Sequence, residues 1–145
     1  MRIFTSAILL FCSLPAFIYA TTCPNPQLEA MTIETQGVFV GHFIMQEQGH
    51  TWYSLSGCAP TSEKEKSITA NLINAYGLAS SRDFTGCEYE VRLSGVSQHY
   101  DVMLADANQE QHTIPLSAKN WKITPDSAGL VCHMNSKTPQ YCQFN

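Results

Sequence analysis

Five histidines, His42, His50, His99, His112 and His133, are the side chains of this sequence most able to do chemistry near neutral pH, where imidazole serves as metal ligand, general base or general acid. Two rings reach one ion when they stand four apart on a helix or are separated by one residue on a strand. No two of these histidines stand so. His42 and His50 flank a polar turn, Gln46 to Gly49, and a hairpin there would let them approach each other. Cys132, His133 and Met134 have the composition of a soft copper site. Scattered histidines on strands and turns are ordinarily surface or hydrogen-bonded residues, so no metal ligand is assigned. Glu88 and Glu90 have the form of the paired carboxylates that cleave glycosidic bonds. Two apart on a strand, however, they share a face with Arg92 and make the charged outside of a sheet. The chain has no Gly-x-Ser-x-Gly elbow, no Cys-x-x-Cys pair and no glycine-rich phosphate loop, so no catalytic residue and no cofactor is assigned.

Cysteines are the other reactive group, and their count depends on the N-terminus. Arg2, the apolar run Ile8 to Ile18 and the small residue Ala20 follow the order of a cleavable secretory signal, predicted over residues 1–20. Ser13 and Pro15 interrupt the run, which falls short of the roughly 20 apolar residues that span a bilayer. Ala20-Thr21-Thr22 before Cys23 fits a lipid-modification site poorly. Cleavage leaves one domain, 21–145, of 125 residues, periplasmic or secreted and with no membrane span. Its seven basic and twelve acidic residues give a net charge of −5 with no concentrated basic face, which argues against nucleic acid as a partner. Cys12 leaves with the signal, and Cys23, Cys58, Cys87, Cys132 and Cys142 remain. In an oxidising compartment five cysteines imply two disulfides and one thiol, in any of about 15 arrangements. Cys132 and Cys142 bracket the polar turn Asn135 to Pro139 and form the favoured pair, since closing a loop of about ten residues contributes roughly 2–3 kcal/mol.

The elements that must position these groups read mainly as β, with α+β as the alternative. Cys23-Pro24-Asn25-Pro26 is a stiff extended opening, and Gln27 to Thr35 reads as strand or short helix. Val38 to Met45 and Thr51 to Ser56 are rich in β-formers and predict a hairpin. Ser62 and Glu65 have the form of a capping box, and Ile68, Leu72, Ile73 and Tyr76 follow at near-helical spacing. A helix over 62–76 is predicted, although its β-branched residues keep a strand open. Cys87, Tyr89, Val91 and Leu93 alternate with Glu88, Glu90 and Arg92 as a half-buried strand, with Val96 to Leu104 as its hairpin partner. Asp106 to Glu110 forms the next turn. Extended pieces follow around Thr113 to Leu116, Asn120 to Ile123, Gly129 to Met134 and Tyr141 to Phe144. Seven or eight short strands and one helix predict an antiparallel sheet, open barrel or sandwich with a helix packed on it, tied by disulfides.

Seven aromatics, Trp52, Tyr53, Tyr76, Tyr89, Tyr100, Trp121 and Tyr141, could build a binding surface. Trp52 and Tyr53 are adjacent on a strand and must face opposite ways. The exposed one of the two, with an unpaired hairpin edge, is the candidate partner surface. Cys23-Pro24-Asn25-Pro26, Trp52, Cys87-Glu88-Tyr89, Trp121, Cys132 and Cys142-Gln143-Phe144 together resemble a family of small secreted bacterial domains of unknown function. The chain is also similar, more weakly, to small periplasmic proteins associated with type IV secretion systems in intracellular gammaproteobacteria. The first resemblance implies that Cys23, Cys87, Cys132 and Cys142 form the disulfides. It leaves Cys58 as the additional, free thiol, through which a covalent dimer is conceivable. The function these features point to is an exported binding or accessory module for a protein partner. The competing class is a small secreted enzyme or inhibitor whose site is assembled from dispersed histidine and acidic residues.

Overall fold

Cys87, Tyr89, Val91 and Leu93 are buried to 3% exposure or less, whereas the intervening Glu88 and Glu90 are half-buried and Arg92 is exposed. This period of two makes their segment a strand with one face to the core, and the rest of the fold is built around it. The computed structural model describes residues 21–36, 40–47, 49–55, 67–108, 111–134 and 138–145. The segment 1–20 and Cys58 lie outside the described residues.

The strands are β1 (Thr32–Gln36), β2 (Val40–Glu47), β3 (His50–Ser54), β4 (Ile68–Leu78), β5 (Phe84–Leu93), β6 (His99–Asp106), β7 (Lys122–Ile123) and β8 (Gly129–His133). They form one open antiparallel sheet in the order β1-β2-β3-β6-β5-β4-β8-β7. The two predicted hairpins are present. β2 pairs with β3 with Met45 opposite Trp52, and β5 pairs with β6 with Tyr89 opposite Val102. Gly49 and Gly95 hold φ of +84° and +76° in the two turns, a conformation that costs glycine nothing.

The helix predicted over 62–76 is a correction. Residues 62–66 lie outside the described residues, and the remainder forms β4, paired with β5 on one side and β8 on the other. Ile68 and Leu72 are four apart, and positions four apart share a face in a helix and in a strand alike. Burial decides between them, because Ile68, Ala70 and Leu72 are half-buried while Thr69 and Asn71 are exposed. A bulge between Leu72 and Asn74 resets the alternation so that Ala75 faces the core opposite Cys87 and Cys132. The predicted extended pieces at Thr113 and Phe144 make only isolated bridges, to Asp83 and Thr21. Between them Pro139–Tyr141 is a single 3-10 turn.

One face of the sheet carries the core: Phe43, Met45, Trp52, Tyr89, Val91, Val102, Leu104 and Ala75. It is covered by loop and terminal segments that bring Cys23, Met31, Ile114, Trp121, Cys142 and Phe144 against it. Two disulfides fasten this cover, Cys23–Cys87 and Cys132–Cys142. The Tyr89 hydroxyl donates to the Pro24 carbonyl at 2.7 Å and fixes the N-terminal segment a second time. Phe144 stacks on Phe84 with ring centroids 3.8 Å apart, so the C-terminus closes the same core.

Candidate functional site

The alternation that buries Trp52, at 1% exposure, turns Tyr53 to the opposite, outer face, where it is half-buried. Trp52 is therefore a core residue. β3 is also not an edge, since it pairs with β2 and β6; among the described residues the sheet ends at β1 on that side. Tyr53 sits instead in an outer-face trough of about 340 Å³ lined by Glu34, His42, Ile44, Thr51, Tyr53 and Ala107. Register explains the grouping. Glu34 of β1 lies opposite His42 of β2, and Ile44 of β2 lies opposite Tyr53 of β3.

His42 meets Tyr53 edge-on with ring centroids 6.1 Å apart. Its Nδ1 lies 3.1 Å from the Ser54 carbonyl oxygen, which can only accept. The Ser54 hydroxyl lies 3.4 Å from the same nitrogen; with Nδ1–H donating to the nearer carbonyl, Nε2 of the neutral ring is left as the acceptor. The trough thus offers a carboxylate, an imidazole acceptor, a hydroxyl and an aromatic ring, and no positive side chain among the described residues. That is a set for a cationic hydrogen-bond donor.

A second constellation lies on the core side. Asp106 stands opposite Trp52 in the β3–β6 register and so faces inward. Its Oδ2 accepts from His50 Nδ1 at 3.0 Å and from His112 Nε2 at 2.9 Å, while its Oδ1 accepts from the Asn108 N–H at 2.9 Å. The side chains of Asp106 and His112 are 4% and 7% exposed, that of His50 34%. His112 lies parallel to Trp52 and packs edge-on against Phe84 and Phe144. Burial pushes the Asp106 carboxyl up, but hydrogen bonds from His112, Asn108 and His50 outweigh it and hold the group below its ordinary value. Nearby Glu47 is held above its ordinary value by burial and by Glu29, with His50 opposing.

His50 and His42 do not approach each other. His50 shares the inward face with Trp52, His42 lies on the outer face with Ile44, and the register places His42 beyond Ser54 at the far end of β3. Cys132, His133 and Met134 do not converge either, in keeping with their ordinary structural reading. Cys132 is bonded to Cys142, Met134 is fully buried, and His133 faces outward to Asn74.

Glu88 and Glu90 share the outer face but serve different partners. Glu90 accepts two hydrogen bonds from Arg92, and Glu88 accepts from Asn74 at 2.7 Å and from the Tyr76 hydroxyl at 2.8 Å. Asn74 in turn accepts from His133 Nδ1 at 2.7 Å, so one polar network crosses β5, β4 and β8. Burial, reinforced by Glu88, raises the Tyr76 hydroxyl above its ordinary value. His99 stands 3.7 Å from Asp101 at the exposed start of β6. Among the described residues no group of three His, Cys, Asp or Glu side chains could hold a metal ion.

Asp106 and Glu34 are the two residues that sequence reasoning passed over. Asp106 read only as the start of a turn, and its partners lie 56 residues before it and 6 after. Glu34 had no signal beyond its place in a polar stretch. Comparison with protein-family models, with curated proteins and with solved structures gives no match for this chain.

Proposed function

We propose that this chain is an exported binding or accessory module that engages a protein partner, in the bacterial periplasm or outside the cell, through the outer face of β1 to β3. The observation that carries this reading is the trough holding Tyr53 and His42 beside the terminal strand of the sheet. A strand end of this kind offers backbone hydrogen bonds, and an adjacent pocket offers side-chain selection. The two disulfides accord with an oxidising compartment, where such bonds persist, and among the described residues no helix is long and apolar enough to cross a membrane. The resemblance to small secreted bacterial domains accords with the same location.

Crosslinking in cell fractions followed by identification of the captured species tests the proposal. Recovery of one partner, lost in a Tyr53→Ala variant, is the expected result. A monomer that captures nothing overturns it. The competing reading, a small secreted enzyme or inhibitor, draws on the convergence of His50, Asp106 and His112. Proton transfer there would run through His50, whose partly exposed ring is oriented by a buried carboxylate. Asp106 and His112 are buried and only the His50 ring is partly open to solvent, which is why the outer-face reading leads. Once residues 1–20 are removed, Cys58 has no intrachain cysteine left to pair with. Covalent dimerisation through it predicts a dimer mass under non-reducing conditions that a Cys58→Ala variant abolishes.

A further inference from the structure

Residues 21–55 contain neither lysine nor arginine, and of their three acids Glu34 is the one on the outer face, since Glu47 shares the inner face with His50 and Glu29 lies near it. The described cations lie elsewhere. Arg82 is bonded to the Ile114 and Pro115 carbonyls, Arg92 to Glu90, and Lys119 and Lys122 lie at or before β7, the opposite end of the sheet. Glu34 is exposed on β1, the outermost strand, and no described cation pairs with it. The far side of β1 has no partner strand among the described residues.

From this charge pattern and the trough's chemistry we infer that β1 accepts an extended segment of a partner protein as a further strand, and that a lysine or arginine of that segment fills the trough of Glu34, His42 and Tyr53. The inference rests on the proposed binding role and names the chemistry of the partner. An added strand lies about 4.8 Å beyond β1. A side chain directly opposite Glu34 on the outer face then stands about 5 Å from it, within cross-strand reach. Beyond Glu34 come His42 and then the ring of Tyr53, so a long aliphatic stem lies along the trough with its charge among acceptors. Tyr53 adds a ring face for the cation. The volume, about 340 Å³, is at the small end of ligand pockets and suits one side chain.

The test uses blocked seven-residue peptides of alternating threonine and valine with lysine, glutamine or glutamate at the centre. They are titrated into the mature protein, with amide hydrogen exchange of β1 followed alongside. The lysine peptide is expected to protect β1 amides and to bind about tenfold more tightly than the glutamate peptide, with a gap that narrows at high salt. Glu34→Gln, at an exposed position, should bring the lysine peptide to the affinity of the glutamine peptide. Tyr53→Phe should keep the preference for lysine and Tyr53→Ala should weaken it. Protection of β1 with equal affinity for all three peptides overturns the basic side chain and leaves the edge-docking role standing. Absence of β1 protection by any peptide overturns both. Sedimentation that shows β1 already covered by a second copy of this chain overturns the choice of occupant.

Discussion

Replacing Asp106 by alanine removes a carboxylate that accepts three hydrogen bonds, and the three donors differ in what they can do afterwards. The Asn108 N–H is in an exposed turn and His50 is 34% exposed, so both recover water. His112, at 7% exposure and enclosed by Trp52, Phe84 and Phe144, does not. A buried donor left without a partner costs about 1–3 kcal/mol, and a hydrogen bond to a charged group contributes about 1.5–3 kcal/mol. Relief of the carboxylate's own burial offsets part of this, and a loss of about 3 kcal/mol remains. With a urea dependence of about 1.5–2 kcal/mol per molar, the unfolding midpoint at neutral pH should fall by about 1.5–2 M with both disulfides intact. Asp106→Asn should cost far less, because both histidines use the same oxygen and an amide oxygen can take that place. A double variant, Asp106→Leu with His112→Phe, should recover more than half of the alanine loss, since removing both partners leaves no orphan. Equal midpoints for the wild type and Asp106→Ala, or equal losses for the alanine and asparagine variants, would refute the reasoning.

The lowered Asp106 value has a definite sign. Its contribution is complete above the unfolded value near 3.8 and is lost as pH falls through the lower folded value. Chemical denaturation across the acid range should therefore show the wild type losing its advantage over Asp106→Asn below about pH 4; a constant difference would contradict it. Glu47 has the opposite sign, because a raised carboxyl costs stability once the pH exceeds its unfolded value of 4.5. Glu47→Gln should raise the melting temperature at neutral pH and leave it unchanged near about pH 3.5, as scanning calorimetry would show. Cys132→Ser with Cys142→Ser opens a loop of sequence separation 10 and frees the segment carrying Phe144. A loss of about 3 kcal/mol is expected, with hydrogen-exchange protection falling first at Phe144 and Thr113; unchanged protection there would exclude the tail as a core cover.

What the sequence disclosed is what short-range pattern encodes. Cys87 to Leu93 alternates cleanly because its neighbours in the sheet bury one face and leave charge on the other, and a period of two survives in any order of strands. Trp52 and Tyr53 had to separate to opposite faces for the same reason, although which of them was outside depended on where the cover lay. The helix over 62–76 misled because Ile68 and Leu72 satisfy both periods; β4 is a strand because β5 and β8 pair with it from both sides, a tertiary fact no window contains. Cys132 and Cys142 are close in sequence and their pairing followed from loop closure, whereas Cys23–Cys87 spans 64 residues and came from resemblance. The meeting of His50, Asp106 and His112 was illegible, since it joins the start of one strand, the end of another and a loop. The register that aligns Glu34, His42 and Tyr53 was equally beyond the pattern, because a shift of one residue would have turned each to the other face.

The two histidine arrangements separate a structural role from the proposed recognition role by the same criterion, whether their polar atoms are already satisfied. Asp106 has every acceptor contact it needs from within the chain, its oxygens meeting two rings and a backbone N–H, and its burial under the loop that carries His112 fixes that loop against Trp52. A carboxylate so satisfied specifies a fold, and of the group only the partly exposed His50 ring is open to solvent. The outer trough is the converse. His42 is oriented by a carbonyl, yet among the described residues Nε2 and the Glu34 carboxylate have no partner, and they stand beside β1, at the end of the sheet where no cation is described. Because residues 23–31, the 111–121 loop and residues 142–144 cover the inner face, a partner on the outer face would leave the core undisturbed, so the proposed recognition there and stability within are mutable independently.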